Sequence, residues 1–160
     1  MALDDDTSHV PLTLLDPGGG WINSPVHVSQ LRGRPVLLHF WSMDCATCVE
    51  QLSQVQEWLR EYGPRGLRVI GVDVTHSATE LCDTNAVEDF ARQHGLRYPI
   101  AVDDGSMAQA YGVLTHPSLL VFDARGLLRF SASLPEQMRE VWLVLERLTG
   151  PDANTGAFSP

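Results

Sequence analysis

One stretch of the chain constrains its fold most: an apolar run that leads directly into two cysteines. The run is Pro35-Val-Leu-Leu-His-Phe-Trp41, and a run of this kind is typical of a strand buried on both faces of a sheet. A helical pattern follows, because five residues recur at spacings of four, three, four and three and so share one stripe of a helix. They are Cys48, Leu52, Val55, Leu59 and Tyr62. We predict a helix over residues 45–62 that stops at Gly63-Pro64.

The two cysteines, Cys45 and Cys48, fall on the first turn of this predicted helix. The uncancelled amide dipoles of a helix N-terminus favour thiolate over thiol, and the thiolate is the species that attacks a disulfide. Cys48 lies one helical turn after Cys45, close enough for the two sulfurs to form a disulfide. The pattern therefore predicts an exposed nucleophile at Cys45 and a sheltered resolving thiol at Cys48.

The remaining patterns predict an α/β domain. A strongly β-branched strand over residues 67–74 follows the helix, and a strand–helix–strand unit implies a parallel strand pair. Ahead of this unit, segments 12–15 and 21–22 flank a Gly-rich turn and predict an N-terminal hairpin. After this unit, the sequence predicts a helix near residues 85–94 and a short edge-like strand over 98–102. A hairpin of strands 118–123 and 126–131 follows. A closing helix comes last, and its predicted core stripe includes Trp142.

Length and composition favour one domain with a substantial core. The chain has 160 residues, of which 44% are hydrophobic, and a domain of that size buries about two thirds of its unfolded surface. We expect a mobile N-terminus over residues 1–10, a folded domain over 11–149 and a flexible tail over 150–160.

Charge and hydropathy narrow the classes of partner. The formal net charge is −9 and no basic tract occurs, which argues against a nucleic-acid or anionic-membrane surface because phosphate contacts need clustered Lys and Arg. No uninterrupted apolar stretch approaches ~18 residues, and residues 1–8 lack the regions of a signal peptide. As written, the chain is expected to be cytoplasmic. A start placed after a removed signal or anchor would make it periplasmic or extracytoplasmic.

Several motifs accompany the cysteine pair. They are Leu31-Arg-Gly-Arg-Pro35, Phe40-Trp41, Cys45-Ala-Thr-Cys48, and Tyr111-Gly-Val-Leu-Thr-His-Pro-Ser118 followed by Leu119-Leu-Val-Phe-Asp123. Together with the order of elements, they resemble the thioredoxin fold, and more closely the TlpA and ResA group of thioredoxin-like disulfide oxidoreductases. The resemblance covers roughly residues 10–149. It implies an α/β thioredoxin fold with an N-terminal β-hairpin and a central strand–helix insert, in which helices flank a mixed sheet.

The resemblance also assigns residues around the cysteines. Pro117 would follow a cis peptide bond and face Cys45 and Cys48; the residues alone do not indicate this, since only about 5–6% of X–Pro bonds in folded proteins are cis. The backbone of His116 would then pair with an extended substrate strand. The expected site is a shallow groove between Trp41, Cys45 and Pro117.

Four residues depart from the pattern of this group. Asp44 precedes the nucleophile where many relatives carry an uncharged residue, so its carboxylate opposes the thiolate, although it also has the chemistry of a helix cap. His39 replaces a buried acid of thioredoxins and is either a base for Cys48 or a core histidine bonded to backbone. Gln51 replaces a glutamate of many ResA-type proteins. His116, in place of the usual Ile, Thr, Val or Pro, is either a surface ring or a cation that stabilises the thiolate.

Two other functions remain open. A non-catalytic protein would bind zinc or copper through Cys45 and Cys48 with His39 and His116, but no second C-x-x-C and no H-x-x-x-H motif exists. A thiol peroxidase is the other alternative, and the Pro-x-x-x-Thr-x-x-Cys pattern of peroxiredoxins is absent before Cys45. The third cysteine, Cys82, follows a polar segment and is expected to be a free thiol.

The sequence therefore predicts a monomeric enzyme, a thioredoxin-like thiol–disulfide oxidoreductase. Its redox group is the Cys45–Cys48 disulfide, and neither an organic cofactor nor a metal is needed. Protein or small-molecule disulfides and dithiols are the expected substrates, and an upstream thiol reductant is the expected second partner. Reduction of protein disulfides is the expected direction, although the same steps run backwards oxidise a dithiol.

Overall fold

The structure is a computed structural model that describes residues 12, 15–76 and 82–150. The predicted mobile N-terminus and all but the first residue of the predicted tail lie outside these residues. The strands are β1 (Trp21–Ile22), β2 (Val36–Trp41), β3 (Arg68–Asp73), β4 (Ile100–Val102), β5 (Ser118–Phe122) and β6 (Leu128–Ala132). The α-helices are α1 (Ala46–Tyr62), α2 (Thr84–Gln93), α3 (Ser106–Ala110) and α4 (Met138–Thr149). Short 3-10 helices lie at Val28–Leu31, Gly63–Arg65 and Pro135–Gln137.

The strands form one mixed sheet in the order β1-β4-β3-β2-β5-β6. β2 and β3 are parallel, as are β3 and β4, whereas the other neighbours are antiparallel. Every residue of β2 is buried, which confirms the prediction of a strand covered on both faces. The α/β class, the mixed sheet and the α2–β4 insert between β3 and α3 are those predicted.

α1 crosses from β2 to β3 and packs on one face of the sheet. Parallel neighbours cannot be joined by a tight turn, so the chain needs a crossover of about a dozen residues or more, which α1 supplies. The buried stripe of α1 is Cys48, Leu52, Val55, Trp58 and Tyr62. It differs from the predicted stripe at one position, because Trp58 is buried in place of Leu59, which packs against the core but is only partly buried.

β1 departs from the predicted N-terminal hairpin. Its two residues pair antiparallel with Ala101 and Ile100 of β4, and among the described residues β1 is an edge strand of the sheet. Leu12 is buried in a 3-10 turn, and residues 13–14 lie outside the described part of the chain. By this pairing β1 covers an edge of β4 at which N–H and C=O groups would otherwise be unpaired.

The closing helix, α4, also differs from its predicted core stripe. Val141 and Leu145 are fully buried, as expected, but Trp142 is 46% exposed and is not the core residue predicted. Successive residues of a helix point about 100° apart, so Trp142 lies on the flank of the face that Val141 buries.

Leu52→Ala should destabilise the protein strongly. Leu52 is 2% exposed in the core between α1 and the sheet, and truncation of a buried leucine costs about 2–5 kcal/mol through lost burial and a residual cavity. Leu114→Ala is the matched control, because Leu114 is 95% exposed and a surface change of this kind is worth less than about 0.5 kcal/mol. Urea unfolding of both variants measures the difference, and equal losses would contradict this core assignment.

Candidate active site

Cys45 is the N-cap residue of α1, with extended backbone angles (φ −104°, ψ 109°). Its Sγ accepts a hydrogen bond from the N–H of Cys48 at 3.2 Å, and its carbonyl accepts the N–H of Val49 at 3.0 Å. A thiolate at this position lies at the positive end of the helix dipole, with a backbone amide directed at it.

The two thiols differ in exposure. Cys45 is partly exposed, whereas Cys48 is fully buried in the core beneath α1, and both are free thiols. Burial, together with the adjacent Cys45 sulfur, raises the pKa of Cys48 to about 12. Cys48 is therefore protonated at neutral pH and must lose that proton when it attacks a disulfide. An exposed first cysteine and a sheltered second one are the arrangement that the sequence predicted.

A short loop, residues 42–45, leads from β2 to the first cysteine, and we call it the C-x-x-C loop. The N–H of Cys45 donates to the carbonyl of Ser42, and the N–H of Asp44 donates to the Ser42 hydroxyl, each at 3.2 Å. The side chain of Asp44 is exposed. The cap of α1 is the Cys45 sulfur rather than the Asp44 carboxylate, and an effect of the Asp44 charge on the nucleophile stays a prediction.

The peptide bond between His116 and Pro117 is cis, as the resemblance implied. Pro117 directly precedes β5, whose first residue, Ser118, pairs with Phe40 of β2. Because β2 and β5 are antiparallel, the residues after Phe40 and those before Ser118 emerge at the same end of the sheet. The C-x-x-C loop and the cis-proline therefore share one end of the fold, where His116 is exposed.

Trp41 does not form an exposed wall of this site. It is 0% exposed, and its ring stacks on Phe90 of α2 with centroids 5.1 Å apart. A Cβ on Gly71 of β3 would lie only 3.1 Å from the indole nitrogen of Trp41. The ring therefore also packs against the backbone of β3. Trp41 supports the end of β2 from within the core, and the surface of the predicted groove is left to Cys45 and Pro117.

His39 is fully buried, and its Nε2 lies 3.3 Å from Oε1 of Gln51. Gln51 is three residues after Cys48 on the same helix, so His39 lies on the α1 side of the sheet. Burial lowers the pKa of His39 to about 4, although the Gln51 contact opposes this effect. The imidazole is neutral at pH 7, which leaves it able to accept a proton but with low affinity for one. Its role as a base for Cys48 stays a prediction.

The described residues hold no group of three or more His, Cys, Asp or Glu side chains placed to bind a metal ion. Cys82 is partly exposed, and burial together with the carboxylates of Asp104, Asp73 and Asp103 raises its pKa. A thiol in such surroundings carries little thiolate at neutral pH and is a weak nucleophile. In the part of the chain that the structure describes, no helix is both long and apolar enough to span a membrane.

Sequence reasoning missed Thr75, which contacts the C-x-x-C loop, and Asp73, which contacts Thr75. The hydroxyl of Thr75 accepts the N–H of Met43 at 2.9 Å and donates to the carboxylate of Asp73. The strand order could have predicted the contact between Met43 and Thr75, because the C-terminal ends of two parallel neighbouring strands lie at the same edge of a sheet.

Known proteins support this description of the fold. The model of the AhpC/TSA family matches residues 11–131. The chain belongs to the AhpC/TSA family. It is similar to the thiol-disulfide oxidoreductase YkuV of Bacillus subtilis, with 35% identity over 121 residues that cover 74% of this chain and 80% of YkuV.

A second relative and a solved structure extend the comparison. The thiol-disulfide oxidoreductase ResA of Bacillus anthracis is 29% identical over 102 residues, and the match covers 63% of this chain and about half, 56%, of ResA. The solution structure of a thioredoxin-like protein in its oxidised form superposes with a TM-score of 0.76 at 30% identity, covering 87% of this chain and 94% of that one. The thioredoxin-like fold is therefore shared over most of the chain.

The buried, neutral His39 should make the protein lose stability as the pH falls. Folding lowers its pKa from 6.5 to about 4, so between these values the unfolded chain binds a proton that the folded chain does not. This difference leaves the free energy of unfolding unchanged above about pH 6.5 and lowers it as the pH falls towards 4, by roughly 3 kcal/mol. Urea unfolding between pH 7 and pH 4.5 measures the loss.

His39→Gln is the comparison for this measurement, because it keeps a polar side chain and removes the titration. Carboxylates elsewhere affect both proteins equally, so the loss of stability on acidification should be smaller in the variant. Parallel losses in the two proteins would show that His39 does not titrate in this way.

Proposed function

We propose that this thiol–disulfide oxidoreductase reduces the disulfides of proteins, with Cys45 as nucleophile and Cys48 as resolving thiol. The observation that carries the proposal is the contrast between the two cysteines: Cys45 is partly exposed at the N-terminus of α1, and Cys48 is buried one turn later. Similarity to relatives named thiol-disulfide oxidoreductases supports it.

The proposed reaction consists of two thiol–disulfide exchanges. First, the Cys45 thiolate attacks one sulfur of the substrate disulfide. A Cys45–substrate bond forms as the substrate S–S bond breaks. The other substrate sulfur leaves as a thiolate and takes up a proton. Second, Cys48 loses its proton and attacks Cys45, which forms the Cys45–Cys48 disulfide and releases the remaining substrate sulfur as a thiol. The enzyme gives up two electrons, and an upstream thiol reductant returns them.

The loop before the cis-proline supports a polypeptide as the substrate. Leu114 is 95% exposed and stands three residues before Pro117, in the segment that leads to the cis-proline. A small disulfide bound at Cys45 would leave this leucine in water. An extended polypeptide that lies along residues 114–117 would cover it and gain from its burial.

The charge beside the nucleophile supports the reducing direction. Asp44 precedes Cys45 in the sequence, and a neighbouring carboxylate disfavours the thiolate. A thioredoxin-fold protein whose reduced form is strongly stabilised is an oxidant, so a less stabilised dithiol corresponds to a lower reduction potential. Because Asp44 is exposed, solvent and salt screen its charge and its contribution is modest.

For a protein that reduces disulfides, we expect the Cys45–Cys48 reduction potential to lie near or below about −250 mV. Thiol trapping and intact mass in graded dithiothreitol and glutathione buffers measure it, in a Cys82→Ser background that removes the third thiol. Asp44→Asn in the same background should raise the potential, because it removes the neighbouring charge. A value above about −180 mV would indicate an oxidant or isomerase instead, and failure to form a reversible disulfide would contradict redox chemistry at this site.

Cys48→Ser should stop the reaction at the mixed disulfide. With the resolving thiol removed, a substrate protein that contains one disulfide should accumulate as a covalent adduct of Cys45, whereas Cys45→Ser should form no adduct. Intact mass without reductant detects the adduct. Peroxide consumption that survives the loss of Cys48 would favour a thiol peroxidase, and stoichiometric zinc or copper without disulfide turnover would favour a metal-binding protein.

A further inference from the structure

β3 ends in a buried carboxylate that the proposed exchange steps do not use. Asp73 is 0% exposed, and its Oδ1 accepts the backbone N–H of Thr75 at 3.2 Å as well as the hydroxyl of the same residue. Its Oδ2 has no hydrogen-bond partner among the described residues. Burial raises the pKa of Asp73, and the bonds from Thr75 offset part of the cost of placing this polar group in the core.

The hydroxyl of Thr75 connects this carboxylate to the C-x-x-C loop. The N–H of Met43 donates to Oγ1 of Thr75 at 2.9 Å. A backbone amide can only donate, so the hydroxyl accepts in this bond and directs its own hydrogen to Asp73. The three groups form one hydrogen-bonded chain with a single orientation, in which Met43 donates to Thr75 and Thr75 donates to Asp73.

This hydrogen-bonded chain ends two residues before the nucleophile. The same segment is held at a second point, where the N–H of Val74 donates to the carbonyl of Trp41 at 2.8 Å. One residue separates Met43 from Cys45. A displacement of Met43 would therefore move Cys45 out of the N-cap position, in which its sulfur accepts the N–H of Cys48.

We propose that Thr75 and Asp73 are positioning residues for Cys45 in the exchange reaction described above, and this inference rests on that proposed function. Acting through the amide of Met43, they hold the Cys45 sulfur at the N-terminus of α1, where its thiolate receives the N–H of Cys48. Without the Thr75 hydroxyl the loop loses this anchor, and the thiolate loses part of the hydrogen bond that stabilises it.

The charges around Asp73 determine which substitution tests this inference. Burial has the largest effect and raises its pKa, and the charge of Asp103 raises the pKa further. The two bonds from Thr75 and the charge of His76 lower the pKa. Replacement of Asp73 would change this whole set of interactions at once. Thr75→Val leaves every one of these charged groups in place, so a change in Cys45 reactivity in that variant reports the lost hydroxyl.

Thr75→Val should shift the pH profile of Cys45 alkylation. In a Cys82→Ser background, the midpoint should rise by about 0.5 to 1 pH unit, which is the effect of one net hydrogen bond, and alkylation below the midpoint should slow by about 3- to 10-fold. Iodoacetamide labelling followed by intact mass measures both quantities. Thr75→Ser keeps a hydroxyl and should restore the profile of the parent protein.

Two controls separate positioning from general damage to the fold. Thr84→Val removes a hydroxyl that contacts the carbonyl of Gly19 at 3.5 Å on a different element, α2, and should leave the profile unchanged. Amide hydrogen exchange at Met43 should be faster in Thr75→Val than in Thr75→Ser. Thr75→Ala provides the same test if the valine variant does not fold.

The outcomes distinguish this inference from the proposed function. The positioning role would be overturned if folded Thr75→Val and Thr75→Ser gave the same alkylation profile and the same hydrogen exchange at Met43. The proposed function would stand in that case, provided that the parent protein reduces disulfides. A parent protein that forms no reversible Cys45–Cys48 disulfide would overturn the proposed function itself.

Discussion

The parallel pairing of β2 with β3 is the constraint on which the rest of the structure depends. Its register runs from Val36 opposite Arg68 to Trp41 opposite Asp73, so both strands end at the same edge of the sheet. Parallel neighbours need a long crossover, and α1 therefore begins where β2 ends and places its N-terminus at that edge. The cysteine pair and the loop after β3 meet there for the same reason. Backbone pairing thus decides where the thiol chemistry is located.

Packing gives two identical side chains different chemistry. Cys48 opens the buried stripe of α1, so the contacts that hold the helix on the sheet also remove this thiol from solvent and keep it protonated. Cys45 lies at the cap, before the first residue with helical backbone angles, where its sulfur reaches both solvent and a backbone amide. The division into nucleophile and resolving thiol follows from where the helix begins. A shift of that boundary by one residue would change both environments together.

The sequence predicted what local periodicity controls and missed what depends on distant contacts. The β2 strand, the α1 helix and the contrast between its cysteines follow from patterns within about thirty residues. The cis bond before Pro117 required a family resemblance, because the isomers differ by only about 0.5–1 kcal/mol and tertiary context decides between them. The burial of Trp41 and the exposure of Trp142 depend on which helices pack beside them. The bond between Met43 and Thr75 joins residues 32 apart, which no local pattern predicts.

The shortest strand has a consequence for association between molecules. β1 contains only two residues, yet it pairs with β4, and the backbone of Gly19 and Gly20 continues the contact through bonds of 2.8 and 2.9 Å to Val102. A chain shortened past residue 22 would keep both cysteines and would lose one side chain, Ile22, from the core cluster that contains Cys48. It would also leave β4 as an open template onto which a strand of a second molecule can add. Such a chain is expected to lose solubility before it loses its redox chemistry.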